Sequence, residues 1–484
     1  MMGRPHSFVA IALLALLAGC GSFDPMMVEP SDRGSPAAFS ELPPIEDARP
    51  APAPLALQPC GGELAQLASL SPADALWIAL CRNPRTRESW AAIAAATATL
   101  GGRYTEYLPT ITSDSTYGEG HVQQAVPTAP FLNQGSHFAD ARTTVDFDWV
   151  LYSGGKREAE IEAARQNVLF AKATHNAEML GVVGDVMQQY YRVVAAQGAV
   201  TARREAEQAA RNSFDIANGR NSGGVAPVAD VLQAKAALDQ AVLNRVQAEG
   251  ALAQQMGALA AALGVTAQTA LRLDAPLTVP TSQDLSVIDT LVAAAERAHP
   301  AVVAARARVE SQRAGVDAAE SEGLPILALT GSIDADRASG QLSFPEPTTS
   351  LRDVWGLRLE IPLSEGFSRG YDIRRAEAEV GEANAELQQA QIQVSLAVWA
   401  SYQNLKTDFA ALQTVNSLVA TAKRSYDVAL GRYQNGIGNI IELLNAQVAL
   451  ASAQQQRVQL SAQCLADRIR LDTSLGYLDM NHVR

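Results

Sequence analysis

The sequence predicts a mainly α-helical fold with a small membrane β-barrel portion. Its plan is a duplicated helix-strand-strand-helix unit whose trimer forms a 12-stranded β-barrel continued by a long α-helical coiled-coil barrel. Three observations carry that prediction. The stretch 214–238 returns at 426–450 at a constant offset of 212. Two short runs, 145–149 and 355–361, alternate apolar and polar residues with the period of a strand. Each is followed by a run without proline that is far longer than a globular domain needs, the first from Lys156 to Arg220.

The N-terminus comes first. A single Arg4, an apolar run from Phe8 to Leu17 and the ending Leu17-Ala18-Gly19-Cys20 read as a signal peptide over 1–19, the run being short for a membrane span. The ending resembles a bacterial lipobox, which makes Cys20 the lipidated (palmitate-bearing) first residue of the mature chain, and Gly21 implies sorting to the outer membrane. The alternative is an ordinary secretory signal with a coincidental cysteine. Residues 20–70 are rich in Pro and Ser and form a lipidated tether. One lipid anchor binds weakly, so firm membrane residence requires a second element. Cys60 and Cys81 are candidates for one disulfide, and Cys464 aligns with Leu252, where a small apolar residue is expected.

The first structural repeat, 71–275, opens with a helix signalled by Ser71, Pro72 and Asp74, broken near Asn83-Pro84 and ending at Leu108-Pro109. Strands follow at about 108–118 and 142–151. In Val145-Asp146-Phe147-Asp148-Trp149 the apolar side chains fall on one face and the acids on the other. A small-residue turn, Ser153-Gly154-Gly155, leads into the first long helix. A hairpin tip at about 219–229 and a return helix, Val228 to Leu263, complete the repeat. The second repeat, 276–478, runs through strands at about 325–334 and 354–363, a long helix, a tip at about 431–441 and a return helix ending at Gly476. Its strand carries Trp355, Leu357 and Leu359 against Arg358 and Glu360. Apolar residues of its long helix, Val394, Val398, Tyr402, Leu405, Phe409 and Leu412, are spaced as a coiled-coil seam. A short tail, 479–484, remains.

Four strands cannot close a barrel, and a sheet with an apolar outer face and bare edges is not tolerated in lipid. Closure by three chains satisfies every edge. It sets Phe147, Trp149, Leu357 and Leu359 against lipid and leaves Asp146, Asp148, Arg358 and Glu360 facing a wet lumen. A formal net charge of −13 without a basic patch excludes a general nucleic-acid binder. No metal-ligand spacing, nucleophile motif or phosphate loop stands out, so neither catalysis nor a cofactor is indicated.

The duplicated plan, the Leu-Pro before each hairpin, the turn Leu151-Tyr152-Ser153-Gly154-Gly155 and the tip segments resemble the TolC family of outer-membrane efflux and type I secretion channels, over 71–478. The resemblance implies a homotrimer in the outer membrane of a Gram-negative bacterium. It implies an exit duct that conducts passively, with a periplasmic adaptor protein and an inner-membrane transporter of the RND or ABC type as partners. It also implies a periplasmic gate. Asp230 and Tyr433 occupy two latch positions, Gly438 stands where the family has an arginine, and Glu442 and Asn445 fall at the constriction, one acidic and one neutral. Read from the residues alone, Asp230 and Glu442 are also ordinary first-turn carboxylates, and Tyr433 an ordinary packing residue. The alternative function is a structural or adhesive periplasmic coiled-coil lipoprotein without a conducting path.

Overall fold

A computed structural model describes residues 70–124, 128, 134–273, 288–339 and 347–477. Cys20, Cys60, the signal peptide, most of the tether and the tail lie outside the described residues. The order is α1 (Pro72–Arg82), α2 (Pro84–Thr105), β1 (Thr110–Gln124), β2 (Gln134–Tyr152), α3 (Lys156–Ser222) and α4 (Val228–Ala262), then α5 (Ile288–Ala298), α6 (Pro300–Ser321), β3 (Ile326–Ser339), β4 (Thr348–Glu360), α7 (Ser368–Gln434) and α8 (Ile440–Ser474). The helices of the two series match residue for residue in length: 11, 22, 67 and 35. Strand lengths, 15 and 19 against 14 and 13, do not.

The chain divides into two compact units. The first, built from Ala94–Ala164 and Ser321–Ser364, holds an antiparallel four-stranded sheet in the order β1-β2-β3-β4. The strands run further than the apolar alternation indicates. Beyond the expected strand ends at about 118, 142, 334 and 354, the described residues continue the ladder, with Gln124 paired to Gln134 and Ala338 to Thr348. Alternation reports that one face is dry. Where both faces are wet the backbone pairing persists without it. At the other end β4 stops at Glu360, short of the expected 363.

The second unit is helical. Ser71 caps α1 by a reciprocal box: its Oγ accepts from the Asp74 amide at 3.2 Å and its own amide donates to Asp74 Oδ2 at 3.1 Å. The break between α1 and α2 falls at Asn83, extended at φ −62°, ψ 130° as the residue before a proline tends to be. Asn83 Nδ2 donates to Ala262 O at 3.0 Å, which ties this break to the end of α4. Cys81 is disulfide-bonded to a partner outside the described residues.

One core joins Leu76 and Ile78 of α1, Val183, Val186, Met187 and Tyr190 of α3, Leu259 of α4 and Ile469 of α8. Each such buried aliphatic contributes about 1.5–3 kcal/mol. The Tyr190 hydroxyl is satisfied by donating to Leu70 O at 3.0 Å. A second core is the predicted seam, with Val394, Val398, Leu405 and Leu412 buried and Tyr402 and Phe409 packed beside them. Cys464 lies in that core, as the alignment with Leu252 anticipates.

Beside Cys464 two carboxyl groups are buried face to face, Asp408 of α7 and Asp467 of α8. Gln463 Nε2 reaches Asp408 Oδ1 at 3.4 Å and Arg470 Nη1 lies 3.1 Å from Asp467 Oδ1, while Asp408 Oδ2 has no partner beyond its neighbouring acid. Burial, and then the charge of Asp467, push the Asp408 carboxyl up to about 7. At the offset of 212 the first repeat has Ala196 and Gln255 at these places.

Candidate functional site

Two regions gather the residues singled out above: the paired hairpin tips in the helical unit and the faces of the sheet.

Both tips are built on one turn. At the first, Val225 N donates to Arg220 O at 2.9 Å and Gly224 N to Asn221 O at 2.9 Å; at the second, Ile437 N donates to Arg432 O at 3.0 Å and Gly436 N to Tyr433 O at 3.1 Å. These paired bonds form a Schellman motif, which requires a left-handed residue. Gly224 and Gly436 supply it at φ +76° and +78°. The helices that leave the two turns start differently. Asn439 caps α8 by accepting from the Glu442 amide at 2.7 Å. Pro227 gives α4 no side-chain cap, and Asp230 in its first turn is free to bond elsewhere.

The structure brings Asp230 and Tyr433 together. The Tyr433 hydroxyl donates to Asp230 Oδ2 at 3.1 Å, joining the second hairpin to the first. The ring packs with Ala217, Ala234, Ala429, Ile440 and Leu443 and is 1% exposed. Burial first, then the bond and charge of Asp230, push the phenol up to about 12, against the lowering effect of Arg220. Tyr433 therefore stays a proton donor throughout the physiological range. A neutral donor on a carboxylate is among the stronger hydrogen bonds, with a net contribution of about 1.5–3 kcal/mol.

Glu442 does not join that pair. It faces Arg432 Nε at 3.5 Å across its own turn, with both side chains about half exposed. Asn445 follows one helical turn later on α8, exposed on the same face as Glu442. At Gly438 an added Cβ would lie 3.0 Å from Arg432 Cβ and 3.1 Å from Tyr433 N, so the turn is too tight there for a side chain without movement. Residue patterns did not single out Arg220. Its guanidinium lies over the Tyr433 ring, with Cζ 4.7 Å from the centroid, and Nη1 donates to the Tyr433 carbonyl. The available signal was the match of Arg220 to Arg432 in the repeat; the reach of the side chain into the other hairpin left none.

In the sheet the register assigns faces directly. Phe147 is opposite Gly331, which is opposite Trp355; Trp149 is opposite Leu329, then Leu357. Leu359 continues this face beyond a bulge between Val150 and Tyr152. Phe147 and Trp355 approach as a tilted pair, 5.6 Å between ring centroids. Leu357 and Leu359 are exposed in the single chain. The other face carries Asp146, Asp148, Arg358 and Glu360. Arg358 Nη2 pairs with Asp148 Oδ2 at 2.7 Å across β3, and Arg142 Nε with Asp336 Oδ1 at 2.6 Å. Exposed pairs of this kind are screened by solvent, so their use is to set the polarity of a face, not to hold it. Asp146 and Glu360 lie exposed on the same face. The outer edges of β1 and β4 pair with no strand among the described residues.

Among the described residues no helix is long and apolar enough to cross a membrane, and no group of three or more His, Cys, Asp or Glu is arranged to hold a metal ion.

Comparison with known proteins adds three kinds of match. The family described as "Outer membrane efflux protein" matches residues 76–265 and 291–477, one segment per repeat. Protein CyaE of Bordetella pertussis is 31% identical over 427 residues, 88% of this chain and 88% of that one. Outer membrane protein TolC of Escherichia coli is 22% identical over 445 residues, covering 87% of this chain and 85% of that one. Among solved structures, the outer membrane protein VceC of Vibrio cholerae superposes with a TM-score of 0.70 at 19% identity, over 84% of this chain and 96% of that one, a likeness of fold.

Proposed function

This chain belongs to the outer membrane efflux protein family, and from that premise we propose that it is the exit duct of a tripartite efflux or type I secretion system. It conducts substrates passively from an inner-membrane RND or ABC transporter, through a periplasmic adaptor, across the outer membrane. The carrying observation is the sheet: four strands with one apolar face, one charged face and two edges that pair with no strand among the described residues. Such a sheet is stable in lipid only when closed. In our reading β1 of one chain pairs with β4 of the next, three chains complete a 12-stranded barrel, and Phe147, Trp149, Leu357 and Leu359 face lipid. Asp146, Asp148, Arg358 and Glu360 line the lumen. Acyl chains on Cys20 add a second hold on the membrane.

The tips form the gate in this reading. The Asp230–Tyr433 bond supports a closed state, and Glu442 with Asn445 lines the constriction with one ring of negative charge in place of two. The rival, a structural lipoprotein without a conducting path, also accommodates long helices, but it leaves the two-faced sheet without a use. Purified protein tests the choice. A heat-modifiable trimer on gels that conducts in planar bilayers, above all after Asp230→Ala, is expected. A monomer, or a trimer silent with and without the tip substitution, would sink the duct.

A further inference from the structure

We infer that Arg220, on the first tip, positions Tyr433 of the second tip for its bond to Asp230. The inference rests on the gate reading above. Three observations converge on Arg220. Its guanidinium covers the Tyr433 ring at 4.7 Å, a cation–π contact on a face shielded from water. Nη1 donates to the Tyr433 carbonyl, one of the last carbonyls of α7, so a positive charge from α3 sits where the dipole of α7 is negative. The guanidinium also fills the space beside the turn, since a Cβ on Gly436 would lie 3.4 Å from Nη2.

Ring face, backbone and helix end are thus held by one side chain, and the hydroxyl is left to point at Asp230. A side chain at 438, where the resemblance implies an arginine, would press on Arg432 and the Tyr433 amide, at 3.0 and 3.1 Å from its Cβ. Arg432, the repeat counterpart of Arg220, is turned to Glu442 and does not substitute. Arg220 Nε is buried without an acceptor among the described residues.

The test is single-channel recording on reconstituted full-length trimer, read as the ratio of open to closed time. Four variants are needed: Arg220→Gln, Arg220→Lys, Tyr433→Phe and Asp230→Ala. Arg220→Gln is expected to raise the ratio as Asp230→Ala does. Arg220→Lys, which keeps charge but loses the planar stack, should fall between wild type and Arg220→Gln. Tyr433→Phe removes only the hydroxyl, so Arg220→Gln added to it should change the ratio by at least about 2-fold less than it does alone, the coupling expected of residues in contact. Additive effects would mean that Arg220 serves the fold and not the latch, and overturn the inference. If Asp230→Ala opens the channel while both Arg220 variants stay at the wild-type ratio, the inference fails and the gate stands. If Asp230→Ala is silent as well, the gate reading fails and takes this one with it. Should Arg220→Gln not assemble, the Lys variant and its coupling to Tyr433→Phe decide the matter alone.

Discussion

The two hairpin tips share a backbone and differ in where their charges go. Each ends a 67-residue helix in the same left-handed turn, and each presents an arginine and an acid at matched places, Arg220 with Asp230 and Arg432 with Glu442. At the second tip these partners meet each other, at 3.5 Å. At the first they do not. Both reach into the second hairpin and converge on Tyr433, whose counterpart in the first copy is Asn221. One tip is self-sufficient and the other is a clasp. The comparison teaches that a duplicated hairpin is specialised by one aromatic side chain. Tyr433 offers a face, a hydroxyl and a buried seat together, and it captures both charges of its neighbour.

Asp230→Ala should break that contrast most. It leaves the buried Tyr433 hydroxyl without its acceptor, a loss of about 1–3 kcal/mol, or roughly 5- to 150-fold in the proposed balance between closed and open. Raised bilayer conductance and new susceptibility to vancomycin are the expected readouts. An unchanged phenotype in normally expressed trimer would count against a clasp. Gly438→Arg, which places in the second tip the arginine that the resemblance implies there, is expected to loosen the proposed gate and not to tighten it. Its Cβ would press on Arg432 and on the Tyr433 backbone, at a cost of about 1–3 kcal/mol. A tighter, less conducting variant would show that the turn yields.

The contrast between repeats extends up the helices, where the second half buries Asp408 against Asp467 and the first has Ala196 and Gln255. With its carboxyl raised from 3.8 to about 7, Asp408 holds a proton in the folded chain at pH values where the unfolded chain has lost it. Stability should therefore be greatest at low pH within this window and fall as pH rises from about 4 to about 7. Asp408→Asn, which stays neutral, should flatten that slope and stabilise the protein at pH 8 by about 1–3 kcal/mol. Thermal melts of both proteins at pH 5 and pH 8 measure it, and parallel slopes would refute it. Arg432→Gln is expected to do least. It breaks a half-exposed pair contributing at most about 1 kcal/mol, so conductance should stay within a few-fold of wild type. An effect as large as that of Asp230→Ala would erase the distinction between the tips.

Much of the scaffold was legible because its determinants are local. Runs without proline set the long helices, Ser71, Pro72 and Asp74 announced α1, and glycines marked the turns. The faces of the sheet were legible from the alternation at 145–149. Its strand lengths were not, because Thr116 to Gln124 pair through backbone atoms while both faces are polar. Asp230 and Tyr433 were placed by resemblance to a family and not by spacing, since their contact spans 203 positions of chain. Arg220 was legible only as the repeat match of Arg432, and its contact with Tyr433 was hidden for a related reason. The sequence shows that an arginine stands at a given place on a helix; it does not show which neighbour a long flexible side chain reaches.

The equality of the two arms, 67 residues out and 35 back in each repeat, has a consequence for stoichiometry. In a trimer it gives six hairpins of nearly equal reach that alternate between two kinds of surface. A partner with three identical subunits has one kind of seat to recognise. A partner with six would have to fit both with the same residues, although Arg220 and Asp230 pair differently from Arg432 and Glu442.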